Sequence, residues 1–238
     1  MNNWTALDVL KQVAGELGLP VPASIVSDDT QIVQLVSLLN SAGNELNLYY
    51  PWEQFVKFHS FATSNGVDTY PVPVDLSYYV DQTQWDRTNR WPLMGPKSPQ
   101  EWNWLKHGLI ASAPRTRYRI YDRNIMLLPI PGATVANLSI EYIKCNWVIK
   151  TPGNTEAAMV ALDGDTIDYH PWLLVKFLKL KFYELKGFDT TAAKADFMRM
   201  FLTLTGKDKG APVLSLVQTP TSVLIGPWSV PDGSWPAS

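Results

Sequence analysis

The apolar residues of this chain change their spacing twice, and that change constrains the fold more tightly than any single motif. Over the first fifty residues they recur at three and four. Thr5 can cap a helix carrying Leu7, Leu10, Val13, Ala14 and Leu17, stopped by Gly18 and Pro20. After a loop, Asp28 or Asp29 can cap a longer helix reaching about Tyr49, with Ile32, Leu35, Val36, Leu39, Ala42 and Leu46 on one stripe. Gly43 within that stripe costs about 1 kcal/mol relative to Ala, which predicts another helix approaching closely there.

From Pro51 the spacing shortens to two. Phe55, Lys57 and His59 alternate with Val56, Phe58 and Ser60, and Ser64-Asn65-Gly66 separates this run from Val67 to Val74, so a hairpin is expected, with Pro71 and Pro73 confining its second strand to an edge. Ser98-Pro99-Gln100-Glu101 is a capping box for a short helix ending at Gly108. Arg115 to Tyr121 turns through Asp122-Arg123-Asn124 into Ile125 to Leu128, and Asn137 to Ile149 adds a further strand. Connections this short predict one antiparallel sheet.

Helical spacing then returns. One helix starts at Pro171 and ends at Gly187; the next is capped by Asp189 or Thr190 and stops at Gly206. The expected fold is α+β: an antiparallel helical bundle from residues 1–50 and 165–209, a β-rich domain inserted at 51–150, a linker at 151–164, and an extended C-terminal arm at 210–238. The arm is too apolar for a simple disordered tail and too rich in proline for an element of its own, and it carries Trp228 and Trp235.

Composition removes several function classes. A net charge of −2 and a pI near 5.9, with no Lys or Arg run, supply no field for nucleic acid. Cys145 stands alone, so neither an intrachain disulfide nor a thiolate zinc site can form, and the chain suits a reducing cytosol. The N-terminus lacks a signal-peptide pattern and no window is apolar enough to span a bilayer, so neither secretion nor membrane insertion is expected. His59, His107 and His170 lie in separate elements without ligand spacing, and Asp163-Gly164-Asp165 with Asp168 lacks the terminal Glu of a calcium loop; a solvated linker is the better reading. No cofactor is implied.

The residues most suited to contact lie between Asp81 and Trp104, where four tryptophans alternate with arginines and proline-glycine corners. Rigid indoles and guanidinium groups concentrate binding energy, so Trp85, Arg87, Arg90 and Trp91 are candidate contact residues, although one or two of the tryptophans are expected in the core. Arg115, Arg117 and Arg119 would line one side of a strand, facing an acidic protein surface first, a solvated, paired face second and DNA passing through a channel third. Trp228 and Trp235 belong to the same contact class. Asp86 and Glu101 near a Trp-lined groove also admit a glycan hydrolase with Glu101 as acid and Asp86 as its partner, and the stacked indoles admit a carbohydrate-binding module.

Gln84-Trp85-Asp86-Arg87, Arg90-Trp91-Pro92, Gly95-Pro96 and the run from Ser98 to Lys106 resemble the signature of head-to-tail adaptor proteins of short-tailed bacteriophages. Ala6 to Leu10 leading to Glu16-Leu17-Gly18-Leu19-Pro20, then Gln34 to Asn40 and Tyr50-Pro51-Trp52, is similar to their N-terminal helix pair. Arg115 to Ile120, Pro129 to Gly132, and Glu141-Tyr142-Ile143 ending at Asn146-Trp147 are similar as well. The resemblance covers about Thr5 to Leu204 and includes nothing specific after Gly210. It implies a virion structural protein without catalysis, made in the host cytoplasm and placed at the head-tail junction. It further implies a homo-oligomeric, typically dodecameric ring beneath the portal protein, meeting the tail nozzle and tail-fibre proteins and leaving a channel through which DNA passes without sequence-specific binding.

Overall fold

A computed structural model describes residues 4–107 and 115–208. In chain order the elements are helices α1 (Ala6–Leu17) and α2 (Thr30–Tyr49), a 3-10 turn (Glu53–Phe55), strands β1 (Val56–Ala62), β2 (Thr69–Pro71), β3 (Leu76–Tyr79), β4 (Trp85–Asp86) and β5 (Trp91–Pro92), and helix α3 (Pro99–His107). Strands β6 (Arg117–Tyr121), β7 (Asn124–Leu128), β8 (Asn137–Lys144), β9 (Val148–Ile149), β10 (Glu156–Ala157) and β11 (Thr166–Ile167) follow, then helices α4 (Pro171–Lys186) and α5 (Thr191–Asp208). The fold class is α+β, with helices from both ends of the chain and a β region between them. Residues 4–56 and 144–208 form one compact unit and residues 57–143 a second.

In the first unit the local signals act as expected. Thr5 and Asp8 form a reciprocal capping box at α1, Gly18 closes it in the left-handed conformation, and Asp29 caps α2 through the Gln31 N–H at 2.8 Å. α4 packs against α1, α2 and α5. Val9, Leu10 and Val13 of α1, Leu39 and Leu46 of α2, and Leu173, Leu174 and Leu178 of α4 are removed from solvent. Each such side chain contributes about 1.5–3 kcal/mol relative to an exposed one. At Gly43 the atoms that a side chain would meet first belong to the indole of Trp147. That ring is held by a 3.1 Å bond from its Nε1 to Asn44 Oδ1, while Tyr169 donates to the Gly43 carbonyl at 3.0 Å. α5 continues through Gly206 to Asp208, so that glycine does not end the helix.

Residues 151–168 depart from a solvated stretch. Asp165 is fully buried and accepts from Lys150 Nζ (2.8 Å) and from the backbone N–H groups of Ala161 (2.8 Å), Leu162 (2.9 Å) and Thr151 (3.4 Å). Around this carboxylate β9 pairs with both β10 and β11. Lys144 is likewise buried, 2.8 Å from Glu156 and 3.5 Å from Asp168.

The second unit holds two sheets in place of the single sheet expected. The larger has the order β1-β8-β4-β5, with β3 also on β8; the smaller has the order β2-β7-β6. The β1 and β2 runs therefore do not form the hairpin that Ser64-Asn65-Gly66 suggested: β1 pairs with β8, and β2 pairs with β7. The edge placement inferred from Pro71 agrees, since β2 has a neighbour on one side only. β6 and β7 do form a tight hairpin, with Asp122 and Arg123 both at positive φ (47° and 56°), as a primed two-residue turn requires. The run from Asn137 to Ile149 breaks after Lys144, where β8 ends and β9 enters the other unit's small sheet. Tyr70, Leu93, Tyr118, Ile125, Leu127, Leu138 and Ile140 from both sheets form one core cluster.

Candidate interaction surface

The Trp-rich stretch divides between core and surface. Trp102 is 2% exposed and anchors α3, whose capping box is intact: Ser98 Oγ accepts from the Glu101 N–H at 3.2 Å, and Glu101 Oε2 from the Ser98 N–H at 3.1 Å. Trp104 is 61% exposed and Trp85 41% exposed, while Trp91 is half-buried. The backbone holds the last two in place. Trp85 lies opposite Pro92 and Ser139, and Trp91 opposite Asp86, in antiparallel register. The Trp91 Nε1 is buried without a hydrogen-bond partner among the described residues.

Asp86 sets the geometry of the turn between these strands. Fully buried, it accepts from the N–H groups of Thr88 and Asn89, both at 3.0 Å, and from Asn89 Nδ2 at 2.8 Å. The turn leaves Arg87 and Arg90 exposed, Arg90 at a φ of 61°. Arg87 donates from Nε to Ser139 Oγ at 3.0 Å, and its guanidinium stands 4.9 Å from the centroid of the exposed Phe58 ring. Between them runs a groove of about 540 Å³ lined by Phe58, Ser60, Ala62 and Asn137. An exposed guanidinium beside an aromatic ring suits carboxylates and carbonyls of another polypeptide.

The arginines of the β6 region do not behave as one row. Arg117 is buried, paired in register with Leu128 and bridged to Met94; Arg119 is half-buried with its guanidinium 5.0 Å from the Tyr121 ring; Arg115 precedes the strand and is half-buried. Trp228 and Trp235 lie outside the described residues.

The carboxylates do not assemble the hydrolase alternative. Asp86 is committed to its turn, and Glu101 is fully exposed in a helix cap, where the Ser98 N–H and then the Lys97 ammonium at 3.5 Å hold its carboxyl below the ordinary value. A general acid needs the opposite shift. Among the described residues, no group of three or more His, Cys, Asp or Glu is placed to hold a metal ion, and no helix is long and apolar enough to cross a membrane.

A second surface feature was not anticipated. In the helical unit, Trp4, Trp52, Tyr169 and Trp172 line a cleft of about 520 Å³ together with Leu204 and the end of α5. Trp4 and Trp172 lie 5.4 Å apart, centroid to centroid, and Trp52 meets Tyr169 edge-on at 6.2 Å. Burial pushes the His170 imidazole in its wall below its usual value. The sequence did hold a signal. Each of these tryptophans sits beside a helix boundary, before α1, after α2 and at the start of α4, and helix ends that converge bring such residues together.

An α+β body that exposes aromatic and guanidinium side chains in one short stretch is suited to contact with other polypeptides. More particularly, the chain belongs to the SU10 adaptor protein family, a family of phage head-to-tail adaptors, which matches residues 4–220. None of the curated proteins compared with the chain matches it. Membership makes it a virion component whose partners are, in general terms, portal and tail proteins, as the resemblance of the Trp-rich stretch implied.

Proposed function

We propose that the protein is a non-catalytic head-to-tail adaptor whose identical subunits form a ring, of twelve in the family's usual arrangement, beneath the portal. The ring joins capsid to tail nozzle and fibres and leaves a channel for DNA. Family membership over residues 4–220 carries this reading. The exposed contact groups support it: Trp85, Arg87, Arg90 and Trp104 crowd one short stretch at a density that isolated globules seldom expose. In this reading the arm at 210–238, with Trp228 and Trp235, docks on the portal or a neighbouring component.

The deciding experiment mixes the purified chain with its portal protein and images the product by negative-stain electron microscopy. Stacked rings are expected. A chain that leaves the portal bare at micromolar concentration removes the proposal. Replacing Arg87 and Trp85 by Ala should weaken capture by portal or tail protein at least about tenfold, as loss of two contact anchors does.

A further inference from the structure

The outer strands of the sheets differ in how well they are guarded. β10 and β11 have two residues each, β5 has two and ends in Pro92, β2 has three and ends in Pro71, β3 has four, and β6 carries Arg117 and Arg119. Shortness, proline and charge are the usual means by which a sheet edge is kept from pairing with other chains. β1 is seven residues long, and its part Phe58-His59-Ser60-Phe61-Ala62 holds no proline, glycine, Lys, Arg, Asp or Glu. Among the described residues it has β8 on one side and no strand on the other, so a row of N–H and C=O groups faces outward.

The side chains beside that row say what could pair with it. Phe61 packs against the core cluster, so by alternation Phe58, Ser60 and Ala62 lie on the opposite face, where all three are exposed. Trp85 and Arg87 flank the buried Asp86 in the same alternation and share that face, as the 4.9 Å approach of the Arg87 guanidinium to the Phe58 ring centroid shows. Arg87 follows β4, yet it reaches across β8 and places its charge above the edge strand. Among the described residues it has no ion pair. A guanidinium without a counter-charge beside an apolar ring selects a carboxylate, and the outward backbone row selects a chain in extended form.

We propose that β1 accepts an extended segment of another polypeptide as an added strand, and that a glutamate of this segment pairs with Arg87 across the Phe58 ring. Main-chain bonds to the outer row hold the segment, while the carboxylate and an apolar neighbour meeting Phe58 select it. The inference rests on the contact role given above to Arg87 and adds the form and charge of the partner segment, which portal or tail protein supplies.

The test titrates the isotopically labelled full chain with a synthetic peptide of alternating Val and Thr bearing one central Glu, and follows amide hydrogen exchange by NMR. Amides within Phe58 to Ala62 are expected to exchange at least about tenfold more slowly with peptide bound. Replacing the peptide's Glu by Gln should weaken binding about tenfold, and Arg87→Ala should abolish that difference while the circular dichroism spectrum is unchanged. A peptide N-methylated on alternate amides should not bind. Four results overturn the inference: no binding at millimolar peptide, binding that leaves the β1 amides unprotected, equal affinity for the Glu and Gln peptides, or protection already complete in the free chain, which would mean that the chain covers its own edge. Portal binding is scored separately. A chain that captures portal without protection of β1 loses this inference and keeps the adaptor role, and one that binds the peptide but leaves the portal bare does the reverse.

Discussion

Gly43 and Asp165 show how single residues fix the helical unit. A methyl group on Gly43 would overlap the Trp147 ring, which Asn44 pins through the adjacent Nε1. Helix propensity alone favours Ala there by about 1 kcal/mol, whereas overpacking a rigid neighbour costs about 1–3 kcal/mol. Sterics win, and Gly43→Ala is expected to lower the urea midpoint with an unchanged slope. At Asp165, burial would raise the carboxyl pKa, but the Lys150 ammonium and the N–H groups of Ala161, Leu162 and Thr151 overcome it and hold the group below its ordinary value. A carboxyl depressed in the folded state adds stability above its unfolded pKa of about 4, and that part is lost as pH falls through the lower folded value. Asp165→Asn leaves the partly exposed Lys150 facing a neutral amide and weakens the bonds from the backbone N–H groups, so a loss of about 1–3 kcal/mol at pH 7 is expected. The same variant should show a flatter decline of stability below pH 4 in acid titrations followed by circular dichroism.

At the scale of elements, the β6–β7 turn carries strain that can be relieved. Arg123 holds a positive φ without glycine's freedom, and its side chain is exposed. Arg123→Gly should stabilise the hairpin by up to about 1 kcal/mol, visible as a small rise in melting temperature. The helices were legible because caps, stops and the three-and-four spacing are written within a few residues, as Thr5, Asp29, Ser98 and Gly187 show. Strand partners were not. Alternation in Val56 to Ala62 says only that one face is covered; that β8 covers it, some eighty residues downstream, depends on the whole chain's packing. For the same reason Arg115, Arg117 and Arg119 read as one row although burial separates them. The contact stretch was legible as a region, because Trp, Arg, Pro and Gly alternate there. Its internal division was not: Trp102 in the core and Asp86 locked in its turn are set by neighbours remote in sequence.

For the molecule as a whole, any segment that orders on docking gives up several kcal/mol of entropy, so ring assembly under the proposed function is expected to wait for a template. The purified chain is expected to sediment as a monomer of 26.7 kDa and to enter a large complex only when portal protein is added. Spontaneous rings at micromolar concentration would show that the subunits need no template. The meeting of Trp4 and Asp208 at one cleft bears on how the protein can be handled. Residues 4 and 208 sit close enough for a short synthetic bridge to join them, and new ends could then be opened at Ser64-Asn65-Gly66, an exposed loop between strands of different sheets. Such a circular permutant would keep every ladder and helix described, while moving any fused reporter from the aromatic cleft to an exposed loop of the β-rich unit.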